Sequence, residues 1–312
     1  CISGGSQLLL RVFPEPDLPT AITNYVECDH NNGGLSSDTD GIIEDINLST
    51  KIQEILANYN ASEFSNFNVT FHPTLADANA NTNGINNNEY TNLSTPQTIY
   101  VRVEDIQSGC YNSSLSFNII INELPYFEVT SPRIVCLNNP PINIAVENPD
   151  SNTYEYRWVN TNQPNATIGT TDNINVSNGG TYIVTATNTI TGCQRPLEIV
   201  VNESIIASIQ EDDVTVIDDT NNNGNNNYSI IINNEDNNLG IGDYEFALQD
   251  ENGNIIATYQ DEPKFENLQG GIYTILVQDK NDCGIAQVEI PLVEFPKFFT
   301  PNQDGYNDTW TV

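Results

Sequence analysis

One unit recurs along this chain and limits what it can fold into: an alternating apolar run around a tyrosine, a short polar turn, a cysteine, then a second apolar run. It appears as Thr98-Ile99-Tyr100-Val101-Arg102-Val103, reaching Ser108-Gly109-Cys110. It returns as Gly180-Thr181-Tyr182-Ile183-Val184-Thr185-Ala186, reaching Thr191-Gly192-Cys193. The third copy is Gly271-Ile272-Tyr273-Thr274-Ile275-Leu276-Val277, reaching Asn281-Asp282-Cys283. The cysteine follows the tyrosine by ten or eleven residues each time, and the second apolar runs are 115–121, 197–201 and 285–292. Alternation rich in Val, Ile and Tyr predicts half-buried strands. The polar interval is too short for a helical crossover, so each unit reads as a β-hairpin closing a domain. Cys1 followed by Leu8-Leu9-Leu10-Arg11-Val12 reads as the tail of a fourth copy, and the chain as a segment of something longer.

More strand pattern precedes each hairpin. Tyr154-Glu155-Tyr156-Arg157-Trp158 alternates, with Trp158 placed like the buried tryptophan of an immunoglobulin-type sandwich. Tyr244-Glu245-Phe246-Ala247-Leu248 leads to Asn252-Gly253, a two-residue turn signal, and 67–71 is the weaker equivalent in the first unit. Ser49 or Thr50 is positioned to cap a helix with Ile52, Ile55, Leu56 and Tyr59 on one face. The fold expected is all-β: tandem immunoglobulin-like β-sandwich domains in an elongated array, with one short helix in the first domain. Proline and charge punctuation divides the chain. Residues 1–19 are the repeat tail, 20–124 a domain with the helical insertion, 125–204 and 205–293 two further sandwiches, and 294–312 the start of another domain. Linkers at Leu124-Pro125 and Glu203-Ser204 are too short to let neighbours fold back, hence the elongated expectation.

Acidic residues outnumber basic ones 42 to 9, a net charge of −33. Such a surface repels nucleic acid, because only Lys and Arg displace phosphate counterions. A hydrophobic content of 38% in strand-like runs still permits packed cores. No run of about 18 apolar residues predicts a membrane span, and no signal peptide pattern occurs, so any leader is expected upstream.

Six cysteines without a CxxC pair suit an oxidising compartment better than a zinc site. The preferred pairing brackets each domain, Cys28 with Cys110 and Cys136 with Cys193, each worth about 4–4.5 kcal/mol in the chain-entropy model. It leaves Cys283 without a mate and sends Cys1 to an upstream partner. A rival scheme joins Cys1–Cys28, Cys110–Cys136 and Cys193–Cys283; it uses every cysteine but ties together two closing hairpins.

The C-terminal stretch holds Phe295-Pro296-Lys297-Phe298-Phe299-Thr300-Pro301-Asn302-Gln303-Asp304-Gly305-Tyr306-Asn307-Asp308-Thr309-Trp310. It resembles the opening of the gliding-motility-associated C-terminal domain, the type B sorting domain of the Bacteroidetes type IX secretion system, with Gln303 in place of a glycine. The matching positions are Phe295, Pro296, Phe299, Pro301, Asn302, Asp304, Gly305, Asn307, Asp308 and Trp310. Leu75-Ala76-Asp77-Ala78, the 98–104 run and Gly109-Cys110-Tyr111 are similar to repeats of large flavobacterial adhesins of the SprB type. The resemblance implies export by the type IX translocon, a PorP/SprF-like outer-membrane partner, surface retention, and an adhesin or gliding role toward an unknown surface or polysaccharide ligand.

Oxygen-rich loops at Asp38, Asp40, Asp218, Asp219, Asp304 and Asp308 are candidate calcium ligands. Counting from Asp38, the closing glutamate of an EF-hand loop is replaced by Ser49, and solvated acidic turns explain the same residues. His30 and His72 read as loop residues far apart, and no nucleophile elbow, zinc or phosphate-loop motif occurs. Tyr100, Tyr182 and Tyr273 suit core packing better than a carbohydrate platform. The chain thus reads as a non-catalytic adhesin stalk. The alternatives are the spacer of a secreted surface enzyme whose active module lies upstream, and a carbohydrate-binding module.

Overall fold

The computed structural model describes residues 12–30, 37, 39–218 and 227–293. Its contacts gather the chain into two units, one of 1–126 with 149–155 and 186–195, the other of 127–148, 156–185 and 196–312.

The N-terminal sheet has β1 (Tyr25–Cys28), β2 (Phe67–His72), β3 (Gln97–Asp105), β4 (Tyr111–Asn112) and β5 (Ser116–Asn122), in the order β1-β5-β3-β2 with β4 on β3. Alternation sends Ile99, Val101 and Val103 of β3 and Phe117, Ile119 and Ile121 of β5 into one core. The residues packed against that face come from no second sheet among the described residues. They are Ile43 and Ile46 from loops and Leu48, Ile55 and Leu56 from the helical segment, all fully buried.

That helix, α1 (Ile52–Ile55), follows a 3-10 turn at Leu48–Lys51. The side-chain cap belongs to that turn and lies earlier than Ser49 or Thr50: Asn47 Oδ1 accepts the Ser49 N–H at 3.0 Å, while Lys51 at the start of α1 makes no side-chain cap. A second helix, α2 (Leu75–Ala80), absent from the sequence-based expectation, is capped by Thr74 and ends at Asn81 in the left-handed region. Its six residues bury only Ala78, too little to register as a periodic face. Arg102 of β3 holds it down, donating from Nη1 to the Ala78 and Asn79 carbonyls at 3.2 and 3.3 Å. A cation at the last carbonyls also suits the helix dipole.

Further along, β6 (Arg133–Cys136), β7 (Ile142–Ala145), β8 (Tyr154–Asn160), β9 (Asn173–Val176), β10 (Gly180–Asn188) and β11 (Gln194–Ser204) form two sheets, β6-β11-β10-β8 and β7-β9. Trp158 is fully buried and its Nε1 donates to the Thr171 carbonyl at 2.8 Å, the sandwich-core position expected of it. The last strands are β12 (Val214–Asp218), β13 (Tyr228–Ile232), β14 (Tyr244–Gln249), β15 (Ile255–Gln260), β16 (Lys264–Leu268), β17 (Gly271–Asp279) and β18 (Ile285–Leu292). They make sheets β12-β13-β16 and β15-β14-β17-β18 around one core that includes Ile230, Phe246, Leu248, Ile275 and Val277. All three predicted hairpins form, the last with Tyr273 opposite Ile290.

Tyr182 and Tyr273 belong to these cores rather than to a flat platform. Their hydroxyls donate to the carbonyls of Asn178 and Gln269, four residues upstream, at 2.9 and 3.1 Å. This is the corner contact seen near closing strands of immunoglobulin-type domains.

Candidate functional site

The chemistry-bearing residues that the structure brings together are cysteines. Each closing hairpin turns through one local design. In the first, the Asp105 N–H donates to the Cys110 carbonyl at 2.9 Å, and Gly109 N–H returns to the Asp105 carbonyl at 2.8 Å. In the second, Asn188 N–H donates to the Cys193 carbonyl at 2.9 Å, and Gly192 N–H to the Asn188 carbonyl at 2.9 Å. The side chain of the leading residue organises each interior: Asp105 Oδ1 accepts the Gln107 and Ser108 N–H groups, Asn188 Oδ1 those of Ile190 and Thr191. Even the cysteine N–H has matching partners, Ser108 Oγ and Thr191 Oγ1, both at 3.3 Å. Gly109 and Gly192 have φ of 73° and 76°, and a Cβ there would meet nothing within 4 Å. Glycine is therefore needed for its backbone and not for space. The third turn closes over the same span, the Asp279 N–H donating to the Gly284 carbonyl at 3.0 Å, but its cysteine stands one position earlier, with Asp282 at φ 61° ahead of Cys283.

The disulfides correct both schemes drawn from sequence. Cys28 bonds Cys193 and Cys136 bonds Cys283; Cys28–Cys110 and Cys136–Cys193 do not form. Among the described residues Cys110 has no disulfide partner. Strand direction is the physical reason. β1 runs parallel to the closing strand β5, so Cys28 stands opposite Asn122, the end of β5 away from the Cys110 turn. β6 likewise runs parallel to β11, placing Cys136 opposite Ser204, eleven residues beyond Cys193. At about 3.3 Å per residue that separates Cys136 and Cys193 by roughly 35 Å, against a disulfide Cα–Cα limit near 7 Å. Each first-strand cysteine thus sits where the next hairpin turn arrives. Cys193 Sγ lies 3.9 Å from the Asn122 carbonyl, and Asn138 donates to the Cys283 carbonyl at 3.0 Å.

A buried carboxylate locks the second bond. Asp279 is fully buried and accepts from Ser204 Oγ at 2.8 Å, and from the Asp243 and Cys283 N–H groups at 3.2 Å. Ser204 is the register partner of Cys136, so the network spans both sides of the disulfide. Near the first bond, His30 accepts or donates at two contacts, Nδ1 with the Cys28 carbonyl at 3.2 Å and Nε2 with Asp45 Oδ1 at 3.0 Å. Burial acts to lower its pKa, but the Cys28 carbonyl and the Asp45 carboxylate outweigh it and hold the value above the ordinary one. His72 is not in a loop: it ends β2, buried, with Nδ1 against the Thr82 carbonyl at 2.7 Å and Nε2 against Thr70 Oγ1 at 2.9 Å. It is a buried histidine with both ring nitrogens hydrogen-bonded.

Of the candidate calcium ligands, Asp38, Asp219, Asp304 and Asp308 lie outside the described residues, as do Cys1 and the whole 295–310 motif. Asp40 is taken up by its own turn, accepting from the Ser37 and Ile42 N–H groups at 3.0 Å each. Asp218 ends β12 opposite Tyr228. Among the described residues no group of three His, Cys, Asp or Glu side chains is placed to hold a metal ion. No described helix is long and apolar enough to cross a membrane.

Residues 24–125 match a family model described as "Flavobacterium inter-domain disulphide bond domain". The match begins just ahead of β1 and ends just past β5, so it takes in Cys28 and Cys110. No curated protein sequence matches the chain. Among solved structures, the three N-terminal domains of the bacteriophage RB49 Highly Immunogenic Outer Capsid protein overlay 72% of this chain and 84% of their own. The identity is 11% and the TM-score 0.36. Drosophila OTK extracellular domains 3–5 overlay 91% of this chain and 99% of their own, at 12% identity and a TM-score of 0.33. Sidekick-1 immunoglobulin domains 1–4 overlay 86% and 73%, at 8% identity and a TM-score of 0.31.

Proposed function

We propose that this chain is an extracellular display stalk: a series of immunoglobulin-like segments that holds something away from a cell surface and does no chemistry itself. The observation that carries the reading is the disulfide pattern. Each bond joins the first strand of one repeat to the closing turn of the next, Cys28 to Cys193 and Cys136 to Cys283. A bond so placed ties one repeat covalently to the next, which suits a structural role. Disulfides also persist only where thiols are not kept reduced, which supports a place outside the cytosol. The description of the family model matched at 24–125 agrees with both points.

The finer reading rests on the 295–310 motif. We read it as the signal for export by the type IX secretion system, with retention at the outer membrane beside a PorP/SprF-like protein. The role that follows is attachment or gliding, toward a surface or polysaccharide ligand. The net charge of −33 suits a crowded, solvated surface and disfavours nucleic acid as that ligand.

Two measurements test this. Small-angle scattering should give a radius of gyration near ~35 Å, whereas one compact body of this length would give ~20 Å. The compact value would remove the stalk. In the producing bacterium, deleting 295–310 should abolish labelling of the protein by a membrane-impermeant reagent on intact cells. Undiminished labelling would remove the sorting role.

A further inference from the structure

A cavity of about 470 Å³ opens where β2 begins and β3 ends, bounded by Tyr59, Glu63, Phe67, Asp105, Ile106 and Gln107 among others. That volume falls within the roughly 300–1,000 Å³ of small-ligand sites. Phe67 stands opposite Asp105 in the β2–β3 register, so a ring and a carboxylate meet there by strand pairing. The Tyr59 ring lies 4.4 Å from the Phe67 ring, tilted by 46°. Backbone bonds hold these walls: the Asp17 N–H donates to the Tyr59 hydroxyl at 2.6 Å, and the Ile106 N–H to the Asn66 carbonyl at 2.9 Å.

We propose that this cavity receives an organic cation, an alkylammonium or guanidinium group, either free or at the tip of a lysine or arginine side chain of another polypeptide. The same unit shows what such a ring and carboxylate attract. Lys51 lies 5.7 Å from the Phe117 ring centre and pairs with Glu54 at 2.8 Å. Arg102 lies 3.5 Å from the Tyr111 ring centre and pairs with Glu104 at 2.7 Å. The cavity repeats the combination with two rings and two carboxylates, and no Lys, Arg or His lines it.

Each carboxylate also has an oxygen without a hydrogen bond among the described residues. Glu63 uses Oε2 for the Asn60 N–H and side-chain amide, at 2.9 Å each, and Asp105 uses Oδ1 for the Gln107 and Ser108 N–H groups and the Ser108 hydroxyl. Those bonds, the Asn60 N–H first for Glu63 and the Ser108 N–H first for Asp105, hold both groups below the ordinary carboxylate range, so both stay ionised at neutral pH. Acceptors without donors of their own suit a ligand that brings N–H groups. A net charge of −33 raises the local concentration of cations around the chain. A metal ion suits the site less well, because among the described residues no three His, Cys, Asp or Glu side chains are placed to hold one.

The cavity involves neither disulfide nor the 295–310 motif, so it stands or falls apart from the stalk reading. Methyl NMR of the full chain with 13C-labelled isoleucine reads it at Ile106, which is 63% exposed. Ethylguanidinium should shift the Ile106 methyl saturably, and neutral ethylurea, matched in shape, should not. Acetyl-Gly-Arg-Gly-amide and its citrulline counterpart form a second pair: tighter binding of the arginine peptide than of ethylguanidinium assigns the site to a polypeptide partner, and equal binding to a free cation. Tyr59→Leu, which leaves the charge unchanged, should weaken binding roughly 2- to 30-fold, the span of a cation–π contact. Gln107→Arg, on an exposed turn, should abolish it by filling the cavity with a tethered cation, and this variant decides the matter if Tyr59→Leu does not fold. Glu89→Gln, an exposed acid elsewhere in the unit, should leave binding intact. An Ile106 response that ethylurea matches, one that persists in Gln107→Arg, or none to either cation overturns the proposal.

Discussion

At the scale of single residues, the turns rest on a few side chains whose loss is measurable. Replacing Asp279 with Ala would leave the Ser204 hydroxyl and the Asp243 and Cys283 N–H groups without their acceptor in a dry site. A buried donor left unpaired costs about 1–3 kcal/mol, so Asp279→Ala should lower the denaturant midpoint by at least that much. Asp279→Asn keeps one acceptor and should cost less. Gly192→Ala forces a Cβ into the left-handed region and should cost about 1 kcal/mol, although the space around it is open. His30 gives a pH signature. Its folded pKa is raised, so the stability it supplies is complete below the unfolded value of about 6.5 and is lost as pH rises through the folded value. Because the Asp45 partner is exposed, the effect should stay under about 1 kcal/mol. Urea unfolding between pH 6 and 8, where carboxylates stay ionised, should show this loss in the native chain and not in His30→Gln.

At the scale of elements, the hairpins and strands follow from alternation, while the helical layer of the first unit depends on contacts distant in sequence. Helix α2 is six residues long, too short to persist on its own. Arg102, 7% exposed, ties its C-terminal carbonyls to β3 while its Nη2 pairs with Glu104 at 2.7 Å. Arg102→Leu removes the hydrogen bonds and keeps bulk. It should expose the 75–80 amides to fast hydrogen exchange and cost about 1.5–3 kcal/mol, the range for charge-assisted bonds. Trp158→Phe keeps most of the core volume but leaves the Thr171 carbonyl without its indole donor. It should cost less than Trp158→Ala, for which about 3–5 kcal/mol is expected. Thermal melts of the two variants check the order.

At the scale of the whole chain, the two disulfides close loops of 165 and 147 residues. In the chain-entropy model each contributes about 5 kcal/mol, more than the shorter loops drawn from sequence would have given. The paired replacement Cys28→Ser with Cys193→Ser avoids a stray thiol that could exchange with Cys110. It should lower stability by up to that amount, and an unchanged unfolding midpoint would show the clamp to be mechanically idle. The series also has a direction. The segment 205–293 carries only Cys283, and its first strand β12 pairs with β13 instead of the closing strand β18. It receives a clamp and has no first-strand cysteine with which to offer one.

Much of this was legible in the residues alone. Alternation around Tyr100, Tyr182 and Tyr273 specified three hairpins, because a period of two leaves one face to bury. Trp158 marked the sandwich core, and Asn252-Gly253 marked a turn that forms with Gly253 at φ 79°. A signal for the true pairing was also present: the third repeat has a turn cysteine but no first-strand cysteine, so an offset by one repeat mates Cys283 as no bracketing scheme does. What the sequence left open was the sense in which Cys28 and Cys136 run beside their closing strands. Side-chain alternation is identical for parallel and antiparallel neighbours, so periodicity carries no information about it. Tertiary packing chose the parallel sense, carried both cysteines to the far end of the sheet, and so turned bonds expected within repeats into bonds between them.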